Sequence, residues 1–502
     1  MTPSAHQIIP LFVAIPLAGA FLTSLVGRRV EAVSDGLGAL ATLATLVLSL
    51  ISVHMVNVHG AIVYEVGGWS PPFGIALSLD GLAAFMLVTV NLIAFLVVVF
   101  SIDYMEKFTA KWQFYTLFLL MLAGMNGVVV TGDLFNLFVF LEIAAVASYA
   151  LVAFGTERHE LEAAFKYAVM GTLGSLFILL GIVWIYGYTA TLNMADMAGY
   201  LKSAGPTQIT LMAAVLFIMG FGLKAALVPF HAWLPDAHPS APAPISAMLS
   251  GVLIKSLGVY ALCRILYNII GISPALSSIL MTLGALSMVI GVFLAIGQWD
   301  LKRLLAYHSI SQIGYVILGI GIGTPLGMLG GLFHLFNHSV FKSLLFLNSG
   351  ALEYSTGTRD LQRMGGLAKR LPTTGTTSLF ASMSIAGIPP FNGFWSKLII
   401  IVAAVQAGRP WYAFWAALAS VLTLASFMKV MKYAFFGEAK RDWSRLREVP
   451  LYMQISMGLL AALCLAGGLL LLPEIRGAFL EQAVDVLRGS TETPAIVLGG
   501  VQ

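Results

Sequence analysis

The chain has 502 residues, of which 59% are hydrophobic and only 10% charged, and a formal net charge of +4. A soluble domain carries roughly 25% charged residues, so this composition excludes a soluble globular protein and points to a polytopic membrane protein. The positive charge is too small and scattered to argue for nucleic acid, and Cys263 and Cys464, both in apolar runs, offer neither a metal spacing nor a disulfide framework.

A helix needs about 20 mainly apolar residues to cross a bilayer. Such runs occur about fourteen times, at 8–26, 33–54, 76–101, 112–131, 134–154, 162–186, 207–229, 244–266, 275–297, 300–321, 326–350, 374–403, 411–434 and 450–472. The first follows MTPSAHQ, which lacks a basic stretch, and is long enough to span, so it reads as a retained helix and not a cleaved signal. With the N-terminus outside, seventeen Lys and Arg fall on inward loops and helix ends against five on the outward side. The even helix count then puts the C-terminus outside as well. The other five of the 27 lie inside the apolar runs: Lys224, Lys255, Lys342, Lys397 and Lys429. After Pro473, Ile475, Phe479, Ala483 and Leu487 fall at helical spacing, the pattern of a short interfacial helix.

The buried polar residues follow in chain order. Glu142 lies about nine residues past Asp133 in GDLFNLFVFLEI, which at 1.5 Å per residue is roughly 13 Å into the helix and near mid-membrane. A lone carboxylate there must be protonated or paired with a cation. It is either a salt bridge gluing two helices or part of an ion pathway.

The stretch GLKAALVPFHAWLPDAHPSAPAPISAMLSGVLIK begins near Lys224 and ends at Lys255. Pro229, Pro235, Pro239, Pro242 and Pro244 interrupt any long helix, and His231, Asp236 and His238 lie in the interruption. Irregular backbone at membrane depth is tolerated only where protein or a water-filled cavity surrounds it. An ammonium near the bilayer centre costs roughly 2.5–3.5 kcal/mol on insertion scales, so two of them beside a proline-broken segment suggest a hydrated interior. Lys255 falls about eleven residues into its span. A desolvated lysine gives up its proton more readily, which suits a group that loads and releases protons. The competing reading is a static partner for a carboxylate.

His308 lies in AYHSISQIGY, and His334, His338 and Lys342 in FHLFNHSVFKSLLFL. The i, i+4, i+8 spacing of the last three puts them on one helix face. Histidines and lysines in file can hand protons along. Two histidines at i, i+4 could instead bind a metal, but no third ligand or HExxH pattern accompanies them. His308 reads equally well as a satisfied hydrogen-bonding histidine. Lys397 follows Gly387, Pro389, Pro390 and Gly393, a second break that admits water and ions, or else it snorkels outward. Lys429, close to the inward end, is expected to snorkel. WYAFW at 411–415 reads as an interfacial belt. An internal echo, AAFKYAV at 163–169 against SVFKSLL at 339–345, and proline breaks at 229 and 389–390 hint at two related halves.

GDLFNLFVFLEI, AAFKYAVMGTLGSLFILLG, the proline-broken stretch with SLGVY, YHSISQIGY, FHLFNHSVFKSLLFL and GIPPFNGFWSKL together resemble one family over nearly the whole chain. It is that of the proton-pumping antiporter-like subunits of respiratory complex I and their relatives in Mrp-type Na+/H+ antiporters. The lysine in GFWSKL argues against the complex I subunit with glutamate there. The end soon after the fourteenth run argues against the longest subunit, with its lateral helix and extra spans. The related subunit of membrane-bound hydrogenases shares the motifs.

The resemblance implies an all-α polytopic membrane protein with about fourteen transmembrane helices and two inverted five-helix repeats whose helices 7 and 12 are broken. The expected division is 1–111 for helices 1–3, 112–266 for the first repeat and 275–434 for the second, then helix 14 at 450–472 and a short tail at 473–502. It also implies a mid-membrane polar axis. Glu142 and Lys224 form the input ion pair; Lys255 with His334, His338 and Lys342 forms the central relay, to which the residues add His308; Lys397 is the terminal exchange site.

The expected function is a proton-translocating transport subunit, not an enzyme, coupled to Na+ efflux. Its expected partners are the other subunits of a hetero-oligomeric complex, the lipid bilayer, H+ and Na+, in a prokaryotic cell membrane. The second reading is the pump arm of complex I or a membrane hydrogenase; a third is a purely structural scaffold. No quinone, flavin or nucleotide motif is visible, and no cysteine cluster could hold iron–sulfur, so no cofactor is expected.

Overall fold

The computed structural model describes residues 5–489. The expectation that both termini lie outside falls on residues 1–4 and 490–502, beyond the described residues, as does the end of the tail. Among the described residues, eleven helices are long and apolar enough to cross a membrane.

The chain opens with α1 (Leu11–Leu22), prolonged by a π turn to Gly27, and α2 (Glu31–His59). Two strands follow, β1 (Ile62–Glu65) and β2 (Ala76–Leu79), antiparallel, with Ile62 opposite Leu79. The third apolar run was expected to begin its helix at 76. The strand takes those residues, because Ala76, Leu77 and Leu79 pair with β1 and fold onto the helix ends. The helix α3 (Gly81–Tyr104) starts only after Asp80, whose carboxylate caps the Ala83 amide. Next come α4 (Lys111–Val130), α5 (Leu134–Val152), α6 (Arg158–Thr189), the short α7 (Met194–Ala204) and α8 (Gln208–Lys224).

Two interruptions position the site. After Lys224 the chain leaves the helix, passes Pro229, forms α9 (Leu234–Ser240) and re-enters at α10 (Ala243–Met248). The unwound backbone is satisfied from outside: Ser287 accepts the Val228 amide at 2.9 Å, and the Trp233 indole donates to the Leu223 carbonyl at 3.0 Å. The run Ala243–Ile270 is mostly not α-helical, and its residues 243–263 are buried without exception. π turns occupy Leu249–Leu253, Lys255–Tyr260 and Arg264–Ile270, with only α11 (Ala261–Cys263) between the last two.

Then follow α12 (Pro274–Ile296), α13 (Leu301–Gly321), α14 (Pro325–Thr356) and α15 (Pro372–Ala386). The second interruption runs from Gly387, in the left-handed region at φ 79°, through Pro389 and Pro390, and ends where α16 (Asn392–Gln406) begins. Gly393 is required there, since a Cβ would sit 1.9 Å from the Ser384 carbonyl oxygen. Helix α17 (Pro410–Val430) and α18 (Leu451–Ala466) complete the bundle, with α19 (Pro473–Arg476) and α20 (Gln482–Arg488) in the tail.

Every apolar run expected to span thus falls mainly on helical backbone, apart from 76–79 in β2 and 225–229 in the first break. Three fall short of the length-and-apolarity standard: α8 is cut by its break, α14 is long but polar, and 374–403 is divided into α15 and α16. Of the four apolar positions expected on the tail helix, Ile475 is exposed and the others pack on the bundle. Leu480, Ala483 and Leu487 are buried, and Phe479 packs on Phe85 and Phe336.

The pairs α5/α6 and α13/α14 share one construction. Asp133 and Asp300 cap the first helix of each pair, and antiparallel bridges join Asp133 to Asn193 and Asp300 to Asp360 at equal spacing. Helices α6 and α14 are both 32 residues long. Laid end to end, they set Lys342 opposite Ser175, not Lys166. The sequence echo is therefore out of register with the backbone. Lys166 sits half-exposed near the start of α6, paired with Glu162 and Asp236, whereas Lys342 is buried in mid-α14.

Candidate functional site

The buried charges gather around the two breaks and the helices between them. Lys224, the last residue of α8, places its Nζ 3.5 Å from Glu142 Oε1 on α5. Ser175 of α6 donates to the same carboxylate oxygen, and the Tyr149 hydroxyl lies 3.5 Å from the ammonium. Tyr149 packs edge-on against Tyr167, which stacks on Trp233 of the break at 4.2 Å, so an aromatic wedge fixes the pair to the unwound segment. The lysine side chain is 4% exposed and the glutamate 31%.

Lys255 is fully buried. Its ammonium bends back along its own helix and donates to the carbonyls of Ser250 and Gly251. The π turns there widen the helix, a distortion that recurs at functional sites because it presents backbone groups to side chains. Ser250 Oγ lies 2.6 Å from Ser309 Oγ and so ties this segment to α13. The bonds of Lys255 thus run to its own backbone and not to the histidines.

On α14 the rings of His334 and His338 lie parallel, 6.4 Å apart. His334 Nδ1 is 2.9 Å from Ser396 Oγ on α16. Both nitrogens of His338 and the Lys342 ammonium are buried without a hydrogen-bond partner among the described residues. Lys255, Lys342, His334 and Lys397 are the groups close enough to act electrostatically on His338. His308 on α13 pairs its Nε2 with Ser426 Oγ of α17 at 2.8 Å, beside Lys342 and Lys397.

Lys397 on α16 sits against the second break. Its ammonium donates to the Ile385 carbonyl at 2.7 Å and lies 4.8 Å from the Tyr315 ring centre. Ile385 is in the last turn of α15, where carbonyls carry the negative end of the helix dipole. Lys397 is therefore held inward and does not snorkel. Lys429 does not snorkel freely either: it caps the end of α12 by donating to the Ile296 and Gln298 carbonyls at 2.7 and 2.6 Å.

Of the expected residues, Glu142 and Lys224 are thus joined directly, His334 and His338 lie as parallel neighbouring rings without a bond between them, and Lys255, His308, Lys342 and Lys397 are brought into the field of those histidines or of one another. Sequence reading missed the hydroxyls that contact them, Ser175, Tyr149, Ser396 and Ser426, and the Ser250–Ser309 hydroxyl pair that ties the Lys255 segment to α13. Serines in apolar helices usually back-bond to their own turn, so nothing in the pattern singled these out. A cavity of about 1030 Å³ lies apart from this line. Its walls include β2, α7 and the start of α12, with the Asp80–Arg264 ion pair among them.

The family described as "NADH:quinone oxidoreductase/Mrp antiporter, TM" matches residues 131–423, and "NADH-Ubiquinone oxidoreductase (complex I), chain 5 N-terminus" matches 66–115. The chain is 36% identical over 437 residues to a Na(+)/H(+) antiporter subunit of Alkalihalophilus pseudofirmus, covering 87% of this chain and 88% of the relative. It is 37% identical over 454 residues to an NADH-quinone oxidoreductase subunit of Desulforudis audaxviator, covering 89% and 90%. Among solved structures, a chain of the Mrp complex from Dietzia sp. DQ12-45-1b superposes with a TM-score of 0.90 at 30% identity. That match covers 99% of this chain and 100% of the other.

Proposed function

Because the chain belongs to the NADH:quinone oxidoreductase/Mrp antiporter family, we propose that it is the proton-translocating subunit of a multisubunit Na+/H+ antiporter. The observation that supports this best is the series of buried cations between two broken helices, with a carboxylate counter-ion, among the described residues, only at its first member, Lys224. Glu142 and Lys224 form the input pair, Lys255, His308, His334, His338 and Lys342 the relay, and Lys397 the exchange site. When Lys224 leans toward Glu142, its field at Lys255 weakens and a proton is taken up. When it leans away, repulsion drives that proton toward Lys397. Two like charges about 10 Å apart repel by about 1.7 kcal/mol at an effective dielectric near 20, enough to bias a shuttle without trapping it. The partners are the other subunits of the complex, with Na+ and H+ as the transported ions, in a prokaryotic cell membrane with both termini outside.

A second reading, the pump arm of a redox-driven complex, is favoured by the equally similar relative from NADH-quinone oxidoreductase. The subunit inventory of the purified complex decides between them. The proton-carrier role is tested at Lys255. Lys255→Ala should abolish coupled transport in everted vesicles while the complex still assembles. Lys255→Arg should fail too, because guanidinium does not release its proton. Wild-type transport in the arginine variant would reduce Lys255 to a fixed charge.

A further inference from the structure

The cavity of about 1030 Å³ beside the Asp80–Arg264 ion pair takes no part in the line of buried charges. Pockets that enclose a small organic ligand measure about 300–1,000 Å³, so this one has room for a large one. It lies where four helices begin. Asp80, Asn193, Thr207 and Ser273, the caps of α3, α7, α8 and α12, all line it. A helix start carries four amides without an intrahelical partner, and each cap answers only one or two of them. The positive ends of four helix dipoles therefore surround a single space.

Two cations add to that field. Lys202 of α7 lines the cavity and is exposed. Arg264 directs three of its N–H groups to Tyr260, Asn268 and Asp80, and a guanidinium has five, so two remain. Against them stands Asp80, the only carboxylate lining the cavity among the described residues. Its Oδ1 accepts from the Ala83 amide and from Arg264, whereas Oδ2 is buried and accepts from nothing among the described residues. A carboxylate oxygen buried without a donor is rare, because it keeps its full desolvation penalty. Much of the remaining wall is apolar, with Met194, Ala198, Ile269, Ile272 and Leu276 in it. Leu211 of α8 lines the cavity and is 50% exposed, so the space opens beside apolar surface of the kind that meets acyl chains.

We propose that this cavity binds one phospholipid with a zwitterionic amine head, of the phosphatidylethanolamine class. The positive helix ends, Lys202 and the two free N–H groups of Arg264 suit a phosphate. The unpartnered Asp80 Oδ2 suits a primary ammonium, which brings N–H donors as well as charge. A purely anionic head would leave that oxygen unanswered. A choline head would offer it charge without a donor. A soluble phosphate ester would leave the apolar wall exposed to water, so the acyl chains are part of the fit.

The test uses the whole complex, stripped of lipid in detergent and offered equal amounts of phosphatidylethanolamine, phosphatidylcholine and phosphatidylglycerol. Native mass spectrometry then reads the lipid that stays on this subunit. One phosphatidylethanolamine should remain, at least fivefold in excess of either competitor. Ala198→Trp fills the cavity away from the charges and should abolish retention in a complex assembled at the wild-type level. Lys202→Gln changes an exposed side chain, leaves folding undisturbed and should weaken retention several-fold. Asp80→Asn keeps a capping side chain on α3 and should reduce the preference for the ethanolamine head over choline. A diazirine on the acyl chain of phosphatidylethanolamine should label α7, α8 or the start of α12. Equal retention of the three lipids, retention that both Ala198→Trp and Lys202→Gln leave unchanged, or labelling confined to other elements overturns the proposal. Displacement of the lipid by an equal amount of soluble phosphoethanolamine also overturns it, because the head alone would then account for binding.

Discussion

A buried charge must be answered by its surroundings, and that demand made part of this site legible from sequence. Glu142 required a cation, and Lys224 answers it across α5 and α8. Asp133 shows the same physics at the membrane edge. It caps α5 through the Asn136 amide at 2.7 Å, yet burial outweighs those amide bonds and raises its carboxyl above the usual range. A raised folded-state value means that the folded chain holds the proton longer than the unfolded one. Relative stability is then full below the unfolded value near 3.9. It falls as pH rises toward the folded value and stays low above it. An asparagine in place of Asp133 would keep the cap without the charge, as Asn193 already does for α7. Asp133→Asn should therefore be neutral to stabilising by up to about 1 kcal/mol at neutral pH, the lost helix-dipole attraction offsetting part of the gain. The advantage should vanish near pH 4. Thermal unfolding of the detergent-purified complex across pH checks this, and destabilisation at pH 7 would refute it. The hydroxyls around the charges left no such mark, since a serine satisfies itself on any helix turn.

At the scale of elements, prolines announced both interruptions, because a missing donor and a ring clash cannot be hidden by packing. The π turns around Lys255 had no such signal. Leu249–Tyr260 is ordinary helical sequence, and its widening arises from enclosure on all sides and from the bend of the lysine onto its own carbonyls. The β1–β2 hairpin was hidden for a related reason: Ala76–Leu79 runs into an apolar helix, and only pairing with β1 distinguishes it. The bridges and equal helix lengths of α5/α6 and α13/α14 support reading 112–266 and 275–434 as related halves, on firmer ground than the misregistered echo. The second break also makes a sharp demand at Gly393. A methyl there would collide with the Ser384 carbonyl, one residue before the carbonyl that receives Lys397. Gly393→Ala must push α15 and α16 apart, so coupled transport should fall at least tenfold and the melting temperature of the complex should drop. Unchanged transport would show that the geometry of this break does not position Lys397.

For the whole molecule, the decisive fact is where Glu142 lies relative to its flank. Phe135, Val139 and Val146 are exposed on α5 and stand on the same helix face as Glu142, one or two turns away. Phe165, Val169, Leu173 and Leu176 extend that apolar face across α6. The carboxylate, 31% exposed, therefore sits within a surface otherwise suited to lipid. An ionised group facing hydrocarbon costs several kcal/mol, and a salt bridge open on one side recovers only part of that. The chain alone is thus incomplete at this flank, and a neighbouring subunit is expected to cover it. A spin label at Val146→Cys reads this directly, because the native thiols, Cys263 and Cys464, are both buried and leave the new cysteine as the accessible one. In membranes holding this chain alone, the nitroxide should be freely relaxed by dissolved oxygen, which concentrates in lipid. In the assembled complex, oxygen accessibility should fall several-fold and the label's motion should slow. Equal accessibility in both would mean that the face meets lipid in the working complex. Glu142 would then have to hold its charge against the bilayer with Lys224, Ser175 and Tyr149 as its whole support.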